Sequence, residues 1–441
     1  MHNLAIALLK KGYQISGSDD EIFEPSYSKL KAHGLLPETM GWNPDRIVPD
    51  LDAVILGMHA REDNPELIRA RELGTKIYSF PEYIYEQSRN KQRIVIAGSH
   101  GKTTISAIII HTLKYLNREF DYVVGAAVEG FDTMVKLTDA PIIVIEGDEY
   151  FTSAIDKTPK FLKYHHHIGL ISGIAWDHVN VYPTYEDYVK QFDYFADATP
   201  KAGSLIYSEA DPMATVICSK ERKDVNTIEY KLPKYKIRDG VTYLIDHRNN
   251  EVPLQVFGKH NLMNISGAHQ VLKRISVTDD EFYSAIASFK GAASRLQLIE
   301  NGTTTSVYKD FAHAPSKVEA TVSALKEQYP DRTLVACLEL HTYSSLNKSF
   351  LSQYQDTMTA ADMPVVYYNP KNVAHKRMEP LDDQTIREAF GQNNLHVFHD
   401  VDEFKSFLMS KDWTDSNLLM MSSGNFDGMN IKELAQQITA K

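Results

Sequence analysis

Ile94, Val95, Ile96 and Ala97 read as an apolar strand, Gly98, Ser99, His100 and Gly101 as a turn framed by glycines, and Lys102, Thr103 and Thr104 as the opening of a helix. A strand that turns directly into a helix belongs to a parallel sheet with the helix laid on its face. The residues that follow agree, since Ile105, Ala107, Ile108, Ile109, Leu113 and Leu116 give a helix apolar enough to be buried there. The turn also predicts chemistry. Glycines let backbone N–H groups close around phosphate oxygens, the helix N-terminus adds a favourable dipole, Lys102 meets the terminal phosphates, and the Thr103 hydroxyl can ligate magnesium. A plain turn would need one glycine and no Lys-Thr behind it. The expected ligands are therefore ATP and Mg2+. The loop has a short form, G-x-x-G-K-T-T, because the position five residues before Gly101 is Ile96.

At 441 residues the chain is too long for one compact domain, and about two to four are expected. A formal net charge of −11 with no basic stripe argues against nucleic-acid binding. Cys218 and Cys337 are the only cysteines and lie far apart in sequence, so neither a disulfide framework nor a cysteine metal site is indicated and a reducing cytoplasm fits. No apolar run reaches membrane-spanning length, and no membrane insertion is expected. Residues 1–11 lack a leading positive region and a small-residue cleavage site, and are expected to be a helix rather than a signal peptide.

After that helix come Gly12 and an expected strand over 13–19, ending near Ser18 and Asp19. A helix feeding such a strand is the second half of a nucleotide-binding βαβ unit, here without its first half. Expected strands over 52–57 and 75–79, with a helix over 66–74 between them, complete a small α/β domain. The pattern restarts near residue 91 and again near 294. The fold class is α/β with three domains. Residues 1–90 form an apparently truncated, Rossmann-like N-terminal domain, 91–293 a central P-loop ATPase-type domain with a mostly parallel sheet, and 294–441 a Rossmann-like C-terminal domain.

Magnesium needs oxygen ligands beyond the phosphates. Glu146, Gly147, Asp148, Glu149 and Tyr150 end an expected strand, at the sheet edge where ligands of such folds bind. Trp176, Asp177, His178, Val179 and Asn180 follow the next strand, and His178 beside the acidic cluster becomes a candidate metal ligand. His165, His166 and His167 point to alternate sides of an extended chain and read as surface or packing. Asn261 and Asn264 open a helix after Gly258, on one face, with amides able to meet an adenine edge; Asn261 alone would read as an N-cap.

Taken in order, A-G-S-H-G-K-T-T, E-G-D-E, W-D-H-V-N-V-Y, G-K-H-N-L-M-N, Ser294-Arg295-Leu296, D-F-A-H-A-P from Asp310 and S-S-G-N-F-D-G from Ser422 give a chain that resembles the Mur ligases along nearly its whole length. These are the ATP-dependent amide ligases of peptidoglycan synthesis. The resemblance implies a uridine nucleotide bound by the first domain, ATP by the second and an amino substrate by the third. The branches acting on UDP-N-acetylmuramate fit best. One adds L-alanine; the other, a recycling activity, adds the tripeptide L-alanyl-γ-D-glutamyl-meso-diaminopimelate. Asp148-Glu149-Tyr150, continuing through Asp156-Lys157-Thr158-Pro159-Lys160-Phe161, resembles the second, whereas Glu339-Leu340-His341-Thr342-Tyr343-Ser344 is closer to the first.

By the same resemblance, Lys102 neutralises the transferring phosphoryl group, Thr103, Glu146 and His178 hold magnesium, and Arg295 reaches the phosphates. Asn261 and Asn264 face adenine and Asp310 the ribose. Ser18, Asp19, Gly57 and His59 approach the uridine nucleotide, and His313 the substrate. Family members begin with a strand and a glycine-rich loop, so a start upstream of Met1 is expected. A P-loop switch or regulator, or a kinase, would use the same loop without an amine acceptor.

Overall fold

Gln92–Ala97 becomes the middle strand of a seven-stranded sheet in the computed structural model, which describes residues 1–126, 128, 130–176 and 181–440. The chain divides into two compact units, Met1–Lys231 with Asn264–Ala285, and Leu232–Met263 with Ile286–Lys441.

In the first unit, β1 (Val54–Leu56) and β2 (Ile77–Ser79) pair in parallel as a small sheet. The large sheet uses β3 (Gln92–Ala97), β4 (Asp121–Val123), β5 (Val135–Lys136), β6 (Ile142–Glu146), β7 (Ile168–Ile171), β8 (Ser204–Ser208) and β9 (Asn226–Tyr230), in the order β5-β4-β6-β3-β7-β8-β9. Every pair in it is parallel except β4 with β5. Alternation along the strands sorts the core. Val95, Ala97, Ile143 and Ile145 join Phe161, Phe192 and Phe195 on one face. Ile94, Ile96 and Val144 therefore face the other way, where the helix Lys102–Tyr115 buries Ile105, Ile108 and Ile109. The helix His2–Lys10 adds Leu4, Ala7 and Leu8 to the first of these cores, with Val135 and Leu137.

One expected strand is absent. Residues 13–19 pair with no strand among the described residues, and Tyr13 stays 41% exposed. An extended segment becomes a strand only when its N–H and C=O groups find a neighbouring ladder, and none lies alongside this one.

The second unit holds an antiparallel sheet of β10 (Tyr235–Arg238), β11 (Val241–Ile245) and β12 (Glu251–Pro253). Its larger sheet uses β13 (Gln297–Asn301), β14 (Ser306–Asp310), β15 (Thr333–Leu340), β16 (Met363–Tyr368), β17 (His396–Phe398) and β18 (Ser416–Met421), in the order β13-β14-β18-β15-β16-β17. Only β13 pairs antiparallel there. Alternation again divides the core: Ala336, Leu338, Val366 and Leu419 pack with Val322 and Ile386, while Val335, Cys337, Val365 and Leu418 pack with Phe404 and Leu434.

The histidine run is packing, as its spacing implied. His166 stacks on Phe195 with ring centroids 4.1 Å apart, and its Nε2 lies 2.9 Å from Thr199 Oγ1. Burial, with the charges of its neighbours, pushes its pKa down to about 3. His260, in the second unit, is pushed down to about 4 by burial. Each ring binds a proton in the unfolded chain near pH 6.5 but resists it when folded, so its contribution to stability is complete above that pH and lost as the pH falls toward the folded value. Stability should decline between pH 6.5 and 4.5 by about 1.4 kcal/mol per pH unit for each ring. Urea unfolding of wild type and His260→Asn across that range should show a shallower decline in the variant.

Candidate nucleotide site

β3 and β6 are adjacent, with Ile96 opposite Glu146. The chain leaves β3 toward β4 on one side and leaves β6 toward β7 on the other, so the outgoing connections diverge and open a crevice at the carboxyl ends. The phosphate loop and the acidic loop both emerge there.

The loop is shaped by two close approaches. Gly98 has φ +124°, and a Cβ on it would stand 2.2 Å from Ser172 Oγ. Gly101 has φ +77° at the helix N-cap, and a Cβ there would stand 2.1 Å from Asn264 Oδ1. A side chain at Gly98 would also run into the backbone N of Ser172, at 2.8 Å, and one at Gly101 would displace the Asn264 amide; both positions have the left-handed backbone that favours glycine. Ser172 donates from its hydroxyl to the carbonyls of Ala97 and His100. Ser99 Oγ lies 2.8 Å from Tyr188 Oη and accepts the Ala175 N–H at 2.9 Å. The turn is thus braced from β7 and from the helix Tyr185–Asp197. Thr103 and Thr104 are buried at the first turn of the helix, whose leading N–H groups have no intrahelical acceptor.

Lys102 Nζ donates to Gly98 O at 2.5 Å and to Glu149 Oε2 at 2.7 Å. Burial works against its charge, but Glu149 foremost, then Asp148 and Glu146, outweigh that and hold its pKa above the ordinary lysine value. Thr103 donates from Oγ1 to Glu146 Oε1 at 2.8 Å, and Glu146 Oε2 accepts the Gly125 N–H at 2.8 Å. A hydroxyl and a carboxylate side by side at the start of a phosphate-loop helix are hard oxygen donors that suit Mg2+. His178 lies outside the described residues. No group of three His, Cys, Asp or Glu placed to hold a metal occurs among the described residues.

Glu149 belongs to the acidic segment that the sequence marks for magnesium, but it pairs with Lys102 instead, a contact between two loops that no local pattern announces. Its backbone carbonyl accepts the Tyr182 hydroxyl at 2.5 Å, fixing the acidic loop, and Asp148 pairs with Lys160 at 2.7 Å.

The remaining expected residues are placed as follows. Ser18 donates its hydroxyl to Glu66, which also accepts the Asn43 N–H at 2.9 Å. Asp19 and His59 are exposed, and Gly57 begins a turn whose next residue, Met58, accepts the Ala154 N–H at 3.0 Å. In the second unit, Asn261 lies inside the helix Lys259–Arg274 and donates from Nδ2 to Phe257 O at 2.9 Å, so it is not an N-cap. Arg295 stacks over Phe311, with its guanidinium carbon 4.7 Å from the ring centroid. Asp310 accepts the backbone N–H groups of Leu296 and Ala312, each at 2.5 Å. Burial raises its pKa to about 6 despite those two bonds. His313 Nδ1 lies 2.8 Å from Phe311 O.

The chain is similar to known proteins in sequence and in fold. Residues 96–272 match the Mur ligase middle domain. The UDP-N-acetylmuramate--L-alanine ligase of Clostridium acetobutylicum is 27% identical, covering 93% of this chain and 91% of that protein. The UDP-N-acetylmuramate--L-alanyl-gamma-D-glutamyl-meso-2,6-diaminoheptandioate ligase of Haemophilus influenzae is 24% identical, covering 98% and 96%. Among solved structures, the UDP-N-acetylmuramate-alanine ligase of Thermotoga maritima superposes with a TM-score of 0.72 at 18% identity, covering 99% of this chain and 97% of that one. A murein peptide ligase of Psychrobacter arcticus gives 0.63 at 21% identity, covering 100% and 97%. The chain's phosphate loop thus lies inside a Mur ligase middle domain, and the likeness to the Mur ligases, ATP-dependent enzymes that form amide bonds, runs through both units.

Proposed function

We propose that this enzyme joins the lactyl carboxylate of UDP-N-acetylmuramate to the amine of L-alanyl-γ-D-glutamyl-meso-diaminopimelate, a cytoplasmic step of peptidoglycan recycling. The observation that carries the choice of acceptor is the segment after Glu146, where the likeness to the recycling branch lies. It is a built element: Asp148 pairs with Lys160 and Asp156 with Lys163, both at 2.7 Å, and Thr152 bonds to Thr158 O through both its N–H and its hydroxyl. The relative from Haemophilus influenzae bears the name of such a ligase. A second reading, ligation of L-alanine, is favoured by residues 339–344 and by the name of the Clostridium acetobutylicum relative.

A carboxylate and an ammonium do not condense unaided, so the carboxylate must gain a leaving group. Its oxygen attacks the γ-phosphorus of ATP in line, ADP departs, and an acyl phosphate results. The amine then adds to the acyl carbon, phosphate leaves, and the nitrogen loses a proton. Lys102 holds positive charge where the phosphoryl group transfers, which is most of what such a reaction asks of a protein. Thr103 and Glu146, with His178, would hold Mg2+, which supplies charge neutralisation at the phosphate oxygens. Asn264 at the loop and Asn261 are proposed for adenine, Arg295 for phosphate and Asp310 for ribose. Because both oxygens of Asp310 already accept N–H groups, a ribose hydroxyl would use their remaining lone pairs. Ser18, Asp19, Gly57 and His59 are proposed for the uridine nucleotide, and His313 for the substrate.

Phosphate release from ATP, measured with UDP-N-acetylmuramate and each acceptor in turn, should require both co-substrates and be faster with tripeptide than with L-alanine. Faster turnover with L-alanine would establish the second reading, and release without any acceptor would remove ligation altogether. Lys102→Ala should lower kcat by about 10²–10³-fold in the same assay. Glu149→Gln withdraws the charge that raises the Lys102 pKa, so the alkaline limb of the pH–rate profile should move to lower pH.

A further inference from the structure

The large sheet of the second unit has its own divergence point. β15 leads toward the core that contains Leu351 and Ile386, whereas β18 leads to the helix Ile431–Thr439 in the opposite core. These two strands are neighbours, so their carboxyl ends border a crevice. Glu339, next to last in β15 and 2% exposed, sits at its floor. Its Oε2 accepts the Phe426 N–H at 2.8 Å and the Ser422 hydroxyl, tying the end of β15 to the loop that follows β18. His341 Nδ1 lies 3.8 Å from Glu339 Oε1.

Beyond His341 the loop presents Tyr343, 62% exposed, and Lys376 Nζ lies 5.4 Å from the centroid of that ring. Lys376 follows the helix Pro370–His375 after β16, and Leu340 is in register with Tyr368, so this contact joins the loops after β15 and β16. Among the described residues no carboxylate pairs with Lys376. An ammonium steadied on an aromatic face keeps its three donors for an outside acceptor. L-Alanine carries one carboxylate, beside its reacting amine. The tripeptide carries others several bonds away.

We propose that Lys376, held on Tyr343, binds a carboxylate of the acceptor peptide remote from the reacting amine, and so selects a peptide over a single amino acid. This rests on the tripeptide reading above. Steady-state kinetics on the full chain, with ATP and UDP-N-acetylmuramate saturating, tests it. Lys376→Met should raise KM for the tripeptide about tenfold, the loss of one charge-assisted hydrogen bond, with kcat within about twofold. Lys376→Arg should recover most of that, and KM for ATP and for UDP-N-acetylmuramate should not move. A tripeptide amidated at its remote carboxylates should bind wild type as weakly as the acid binds Lys376→Met, with no added loss in the variant. Should wild type ligate the tripeptide while Lys376→Met keeps its KM, or should all three substrates weaken together, Lys376 has no such role. If wild type ligates L-alanine and not the tripeptide, the acceptor reading itself fails, and the selection role with it.

Discussion

A lysine ammonium withdrawn from water needs a counter-charge nearby, and that requirement organises the nucleotide site. Lys102 is set at the first turn of its helix by Gly98 and Gly101, and the loop after β6 supplies the carboxylate, Glu149, that meets it. The two loops can touch because β6 lies against β3, although 45 residues separate Lys102 from Gly147 in sequence. Strand order is therefore part of the chemistry. Had the chain passed from β3 to its neighbour in simple succession, both connections would leave on the same face and no crevice would form at Gly98.

The same economy appears in the second unit. Its large sheet also places a late strand between earlier ones, β18 between β14 and β15, and again the loops beside the divergence point carry the polar residues. Residues i and i+2 of each central strand enter one core and the intervening residues the other, which is why the middles of these strands are apolar on both faces. Nothing on such a strand is free to do chemistry until it ends. Glu146 and Glu339 each lie within one residue of that end.

What could be read from the chain follows the same division. β3, β6, β7, β15, β16 and β18 are long apolar runs, and the sequence marks them plainly. β13 and β17 escape it because they are half-exposed edge elements whose composition does not differ from that of a loop. Residues 13–19 err in the other direction: the pattern of a strand is there, but pairing depends on a neighbour that composition cannot report. In the site, Lys102, Thr103 and Glu146 were legible because strand ends and glycines announce them. The Ser18 hydroxyl bonding to Glu66, 48 residues away, and the press of Asn264 on Gly101 were not, since each is a contact between segments with no shared local pattern.

Asp310 shows what a buried carboxylate can be kept for when it does not strengthen the fold. Its pKa rises from 3.8 to about 6, so the charged form is less at ease inside than in water, and at neutral pH that imbalance opposes stability. In return it holds the N–H groups of Leu296 and Ala312, on either side of its own strand end. Ser294 and Leu296 both adopt left-handed backbone, with φ of +54° and +44°, a conformation that neither residue favours unaided. The carboxylate fixes that turn, and the turn sets Arg295 over Phe311. An asparagine would relieve the buried charge but offer one acceptor oxygen where two N–H groups need one each, so the charge is the condition for keeping both.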